Sequence, residues 1–350
     1  MKRFFLFGIL ISCSGCSFSY LAHVAKGQMA IMNKAEPISV VIKRGELSSA
    51  EQEKLQLILE IRDFSSNVLK LSLDGSYLEY VDLSKLRRDA VAYNLVVCPK
   101  DRLEPHTWWF PFIGHIGYLG FFDKEYAFET KREYEEKGYD TYLRSVSAYS
   151  TLGWFNDPIF SSMLSFREDQ LANLIIHELT HVTIYKSGDT FFNEGVATFI
   201  GNKGSIEFMV QKYGKNSKQH LASLHAEYDD LLFSGYIEKA KSRLQNFYNG
   251  PLSENEKIQK REREFEALKN DFLKLKPSFK THDYDVFENI RFNNAVFAGL
   301  GQYYGDLSLF EKIWERHRGN IAATLPVFKR AQVEKEPLIY LKKMVVFPFK

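Results

Sequence analysis

Between Leu174 and Gly201 the chain reads LIIHELTHVTIYKSGDTFFNEGVATFIG, and no other stretch restricts the fold as much. The segment is largely apolar, yet His177, Glu178, His181 and Glu194 lie inside it. Imidazole and carboxylate groups are costly to desolvate in an apolar helix unless a partner compensates them. His177 and His181 are i and i+4, so on a helix they project from one face about 5–6 Å apart. Two imidazoles at that spacing reach one metal ion. Glu178 is turned about 100 degrees from His177, beside such an ion rather than on it. A carboxylate there can act as a base on water. The pattern is H-E-x-x-H. Zinc of this kind takes a third protein ligand and leaves a fourth position open. Glu194, on the helix expected next, is placed to supply that ligand. The metzincin arrangement needs Gly and His where this chain has Ile184 and Ser187, so it is excluded.

The helix boundaries follow from local signals. Ser165-x-x-Glu168 reads as a capping box that opens a helix from about Arg167 to Lys186, with Gly188 closing it. A second helix is expected from Asp189 or Thr190. Upstream, residues 17–70 read as helical, and Ser48 and Glu51 form another capping box ahead of apolar residues at helical intervals. From about Gly75 to Ser150 the stretches YLEYVDL, AVAYNLVVCP, HTWWFPFIGHIGYLGFF and TYLRSVSAYS are rich in aromatic and β-branched residues. They predict strands of a small mixed sheet. KEYAFETKREYEEKGYD within that region is a helix ending at Gly138. Beyond Ile206 the chain reads as almost entirely helical, and the charged run SENEKIQKREREFEALKNDFLKLK predicts a solvated helix face or one arm of a helical hairpin. The expected fold class is therefore α+β and mostly helical, with a small mixed β-sheet in the middle and a helical C-terminal half. Residues 17–350 are expected as one domain in three parts, 17–70, 71–205 and 206–350.

At 350 residues, 45% hydrophobic and 26% charged, the chain has the profile of a folded globular protein. Residues 1–16, MKRFFLFGILISCSGC, read as a signal peptide: Lys2 and Arg3 precede an apolar run, Phe4 to Ile11, that is too short to span a bilayer. Ser14-Gly15-Cys16 resembles a bacterial lipobox, with Cys16 as the lipidated residue, although Cys13 stands where an aliphatic residue is usual. Ser17 after the cysteine points to the outer membrane, facing the periplasm. Without Lys2 and Arg3 the 46 basic residues fall to 44, against 44 acidic ones. With no basic stripe, nucleic acid is excluded as a partner. Cys98 is the one cysteine outside the leader; it rules out a disulfide framework and reads as a buried structural thiol.

Four blocks, GFFDKEYA, SVSAYSTLGWFNDPIFSSM, IIHELTHVTIYKSGDTFFNEGVATFIG and NNAVFAGLGQYY, resemble a family of bacterial predicted aminopeptidases, often lipoproteins, with a gluzincin-type zinc site. The resemblance runs through nearly the whole chain after the leader. It implies a zincin-like metallopeptidase in which His177, His181 and Glu194 hold one Zn2+ ion and Glu178 is the catalytic carboxylate. One departure is Gly195-Val196, where the family pattern has Ser and Phe.

A peptidase also needs a donor for the developing oxyanion, and Tyr303, Tyr304 and Tyr149 are the candidates. Residues 143–153, just ahead of the metal helix, match in position the gluzincin edge strand that pairs with a peptide substrate. STLGWFNDPIFSS is expected to loop over the cleft. Asp157 and Asp189 are candidate partners for the histidine ring nitrogens. No residue for the substrate's free amine is evident. The resulting expectation is a membrane-tethered zinc peptidase. Two alternatives stay open at this point: an inactive zincin-like envelope binding or assembly protein, and a zinc hydrolase of non-peptide amides or esters.

Overall fold

The computed structural model describes residues 15–110, 114–146, 156–301 and 304–346, with side chains from residue 19 onward. The N-terminal part consists of α1 (Gly15–Met32), a two-residue strand β1 (Glu36–Pro37), α2 (Ile38–Arg44) and α3 (Ser49–Asn67). Ser48 and Glu51 make the reciprocal cap that their spacing predicts, and α3 buries Leu55, Ile58 and Ile61 along one stripe.

The middle of the chain supplies β2 (Glu79–Val81), β3 (Ala92–Cys98), β4 (Trp108–Phe110), β5 (Gly114–Ile116), β6 (Leu119–Phe121), α4 (Lys124–Glu136), β7 (Asp140–Val146) and β8 (Ile159–Phe160). These strands divide into three small sheets, ordered β1-β2-β8, β6-β3-β7 and β4-β5. The first is mixed, with β1 antiparallel and β8 parallel to β2. The longest pairing is antiparallel, β3 with β7, in register from Ala92↔Val146 to Cys98↔Asp140. Ile159-Phe160 is therefore a strand and not part of a loop, and a 3-10 turn over Ser161–Ser165 follows it. Residues 150–155 of the expected loop lie outside the described residues. Cys98 is buried, and its Sγ lies 3.3 Å from the Glu104 carbonyl oxygen.

The remaining helices are α5 (Glu168–Thr183), α6 (Thr190–Tyr213), α7 (Lys218–Asn249), α8 (Glu254–Leu275), α9 (Asn294–Leu300), α10 (Ser308–Arg316), α11 (Ile321–Ala331) and α12 (Pro337–Val346). Two boundaries of α5 differ from expectation. Ser165 is not its cap: the Ser165 hydroxyl donates to the Ser162 carbonyl, while the N–H of Arg167 donates to Gln170 Oε1 at 3.1 Å. The helix also stops at Thr183 rather than Lys186. Asn193 explains this, because its side chain accepts from the Lys186 N–H and donates to the Lys186 carbonyl, each at 2.8 Å. That clamp holds the α5–α6 connection open and fixes the start of α6.

The charged run forms α8, which packs on α7 and buries Arg261, Phe265, Leu268 and Phe272 on one stripe. Arg261 crosses to the start of β7 and forms a bidentate pair with Asp140 at 2.6 and 2.8 Å. One large apolar core joins α3, α5 and α6 to the C-terminal helices, and a second lies among α7, α8 and α9. Among the described residues no helix is long and apolar enough to cross a membrane.

Candidate metal centre

Helix α5 buries Leu171, Ala172, Ile175, Ile176 and Leu179, and α6 buries Phe192, Val196 and Ile200. The two helices approach closely at Gly201. A Cβ there would lie 3.1 Å from the Asn173 carbonyl oxygen and 3.3 Å from His177 Cβ. This contact brings Glu194 on α6 against the histidines on α5.

His177 Nε2 and His181 Nε2 are 3.2 Å apart. Glu194 Oε2 is 3.4 Å from His177 Nε2, and Glu194 Oε1 is 3.7 Å from His181 Nε2. Bonds of about 2.0–2.2 Å from a tetrahedral zinc ion place neighbouring ligand atoms about 3.3–3.6 Å apart. The three side chains fit that spacing, and as a group they can hold a metal ion. Two imidazole nitrogens and one carboxylate suit zinc chemically. Glu194 Oε2 is also buried with no hydrogen-bond partner among the described residues. Such an atom costs about 1–3 kcal/mol if left alone, and a bound cation would offset that.

The electrostatics divide the four groups. Burial, and then the neighbouring His177, lower His181 to about 4, so it is a neutral donor at working pH. Burial would also lower His177, but the Glu194 and Glu178 carboxylates carry it above its ordinary value. Burial would raise Glu194, yet the two histidines hold it below the usual carboxylate range. Glu178 is raised to about 7, by burial first, with the Glu194 and Asp157 charges adding to the rise and His177 opposing it.

The other expected site residues are scattered. Asp157 is buried close enough for its charge to act on Glu178. Asp189 does not serve the histidines: its carboxylate caps α6 by accepting from the Phe192 N–H at 3.0 Å. Tyr304 packs in the second core, its ring 4.8 Å from Phe233, and burial pushes its hydroxyl up to about 12. Tyr303 and Tyr149 lie outside the described residues, as does 147–153 of the expected edge strand. Residues 143–146 belong to β7, which ends its sheet. The departure at Gly195 has a packing reason. A Cβ there would come within 2.8 Å of Phe310 Cε2, so the glycine makes room for α10.

Two further residues had no motif to announce them. Tyr77 is 2% exposed and takes a left-handed φ of 63, a strained conformation for an aromatic residue. Its N–H donates to the Asp157 carbonyl at 2.7 Å. Burial, with the Glu178 and Asp157 charges, holds its hydroxyl well above the ordinary value. Asp74-Gly75 signals a turn in the sequence, but nothing local says that this turn meets the metal helix. Arg144 on β7 lines a small cavity of about 10 Å³ with Val96, Tyr142 and Leu300. Its charge reaches both Glu194 and Tyr304.

Comparison with curated proteins and with solved structures returns no match. A family model described as "Putative aminopeptidase" matches residues 19–336, a span that includes every described side chain discussed above, and the chain belongs to that family.

Proposed function

We propose that the protein is a zinc-dependent aminopeptidase in which His177, His181 and Glu194 hold one Zn2+ ion and Glu178 is the general base. The observation that carries this reading is the spacing of the three ligand atoms, between 3.2 and 3.7 Å, beside a carboxyl that burial raises to about 7. Zinc, when bound, supplies Lewis acidity to the attacking water and the scissile carbonyl. Glu178 carries the proton. Near neutral pH it can accept one from the water and return it to the leaving amine. Tyr304, whose hydroxyl keeps its proton up to about 12, is one candidate donor to an oxyanion. Tyr303 and Tyr149 are candidates for the same role. Among the described residues no second strand flanks β7, whose outer side offers backbone groups to an extended peptide.

From the leader sequence alone we also propose a cell-envelope location, with Cys16 lipidated and the catalytic part facing the periplasm from the outer membrane. Cys16→Ser should move the protein from the membrane fraction to the soluble one in cell fractionation.

The catalytic reading is tested by zinc content and by hydrolysis of free-amine and N-blocked peptides, for wild type and Glu178→Gln. One zinc per chain in both proteins, with cleavage at least roughly a hundredfold lower in the variant, is expected. Removing the base and its proton transfer costs about 10²–10⁴-fold in general. A wild type that binds no zinc when supplied with it overturns the proposal.

A further inference from the structure

An aminopeptidase must hold the substrate's free α-ammonium group, and the sequence offers no motif for it. We infer that the Asp230 carboxylate, framed by Tyr284 and Asn202 and linked through Asn173 to the helix that carries His177, is that receptor. The inference rests on the aminopeptidase reading and adds the residue that makes the enzyme require a free amine.

Asp229 and Asp230 are adjacent acids on α7, and the fold gives them different work. Asp229 is fully buried, and its carboxylate accepts the N–H groups of Lys280 and Thr281 at 2.7–3.0 Å. It thereby fixes the segment after α8 that delivers Tyr284. Asp283 in the same segment is held by Arg167 at 2.7 Å and by Gln170 at 3.0 Å, both at the start of α5. Asp230, one residue on, is only partly buried. Its Oδ1 accepts from the Tyr284 hydroxyl at 2.5 Å, and Asn202 is its second hydrogen-bond partner.

Both partners are neutral. Among the described residues no lysine, arginine or histidine forms an ion pair with Asp230, and the charges that act on it most, Asp283 and Asp229, are negative. A recessed carboxylate in that setting is short of a cation, and burial raises it to about 6. An ammonium ion supplies the missing charge. It also meets aromatic surface, since Phe233 stacks on Tyr284 at 4.2 Å and lies 4.8 Å from the Tyr304 ring.

The position relative to the ligands follows from a chain of contacts. Asn202 lies on α6 beyond Glu194, and its Oδ1 accepts from Asn173 Nδ2 at 2.6 Å. Asn173 stands one turn before His177 on α5. Both Asn173 Oδ1, at 3.2 Å, and His177 Cβ, at 3.3 Å, border the Cβ position of Gly201. The carboxylate is thus separated from the first ligand's helix by two amide side chains.

The experiment uses the full chain loaded with zinc and two probes, leucine hydroxamate and 4-methylpentanoyl hydroxamate. The second lacks only the α-amine. Their affinity ratio therefore isolates ammonium recognition from metal binding. The wild type is expected to favour the amine-bearing probe by roughly 10- to 100-fold, the range for one charged hydrogen bond. Asp230→Asn is expected to bring the ratio below about threefold with zinc content retained, and Asp230→Glu, which keeps the charge, to preserve most of it. Asp230→Ser carries the same expectation as the asparagine variant if that protein does not fold. A ratio unchanged in Asp230→Asn or Asp230→Ser overturns the inference, as does a wild type with no preference. If neither hydroxamate binds the zinc-treated wild type, the zinc reading fails first and the inference falls with it.

Discussion

Asp230 responds to pH in a direction that its surroundings dictate. In the folded chain its carboxyl loses its proton at about 6, against an ordinary 3.8. Between those values the folded state holds a proton that the unfolded state has released. The contribution of this group is therefore fully present below about pH 4 and is lost as pH rises through 6, a change of about 2–3 kcal/mol. Asp230→Asn removes the dependence. Denaturant unfolding at pH 4, 5, 6 and 7 should show the variant gaining on the wild type across that interval. A constant difference between the two proteins would contradict the assignment of the shift to Asp230. Arg261 marks the opposite case, a buried charge that does have its partner. Arg261 and Asp140 are 7% and 6% exposed and bonded twice, whereas Lys260–Glu256 on the same helix is open to solvent. Arg261→Ala should cost about 3–5 kcal/mol by leaving Asp140 buried and unpaired, and Lys260→Ala less than about 1 kcal/mol. Thermal melts of the two variants make the comparison.

At the scale of elements, the candidate metal centre is a property of the α5–α6 pair more than of either helix. Gly201→Ala places a methyl 3.1 Å from a backbone oxygen of α5, which cannot move aside as a side chain could. The helices must separate by a few tenths of an ångström, and Glu194 moves with α6. Zinc affinity should fall roughly tenfold, the scale seen when groups supporting a ligand are altered, and competition with a chelator of known affinity measures it. The pair also marks how far the sequence could be read. His177, His181 and Glu194 were legible because helical periodicity brings the first two together and a short connection brings the third. The cap at Ser48 was legible for the same local reason. Ser165 misled because Gln170 offered α5 a competing start, and the helix end misled because Asn193, a residue of the next helix, bonds back onto Lys186. Tyr77 and Asp230 were not legible at all. Each approaches the α5–α6 pair from an element distant in sequence, so no local spacing encodes the approach. The acidic pair in AEYDDLLF was the one available signal, an unusual charge density beside Leu231, Leu232 and Phe233.

At the scale of the molecule, polar links tie the segments that border the centre. Arg167 at the head of α5 holds Asp283, and Arg261 on α8 holds Asp140 at the base of β7. The α7–α8 hairpin is thereby attached both to the metal helix and to the edge strand. Of the two readings of the charged run, the arm of a helical hairpin is the one observed, and only its outer face is wet. β7 in turn is registered along its whole length on β3, and β3 ends at Cys98, whose thiol burial pushes up to about 12. Among the described side chains Cys98 is the only cysteine. The protein therefore contains its own clock for the opening of that sheet. The rate at which a thiol reagent modifies Cys98 counts the excursions that part β3 from its neighbours, with no label to introduce. A peptide analogue that adds to the open side of β7 should slow that clock, and one that binds elsewhere should leave it running at the same pace.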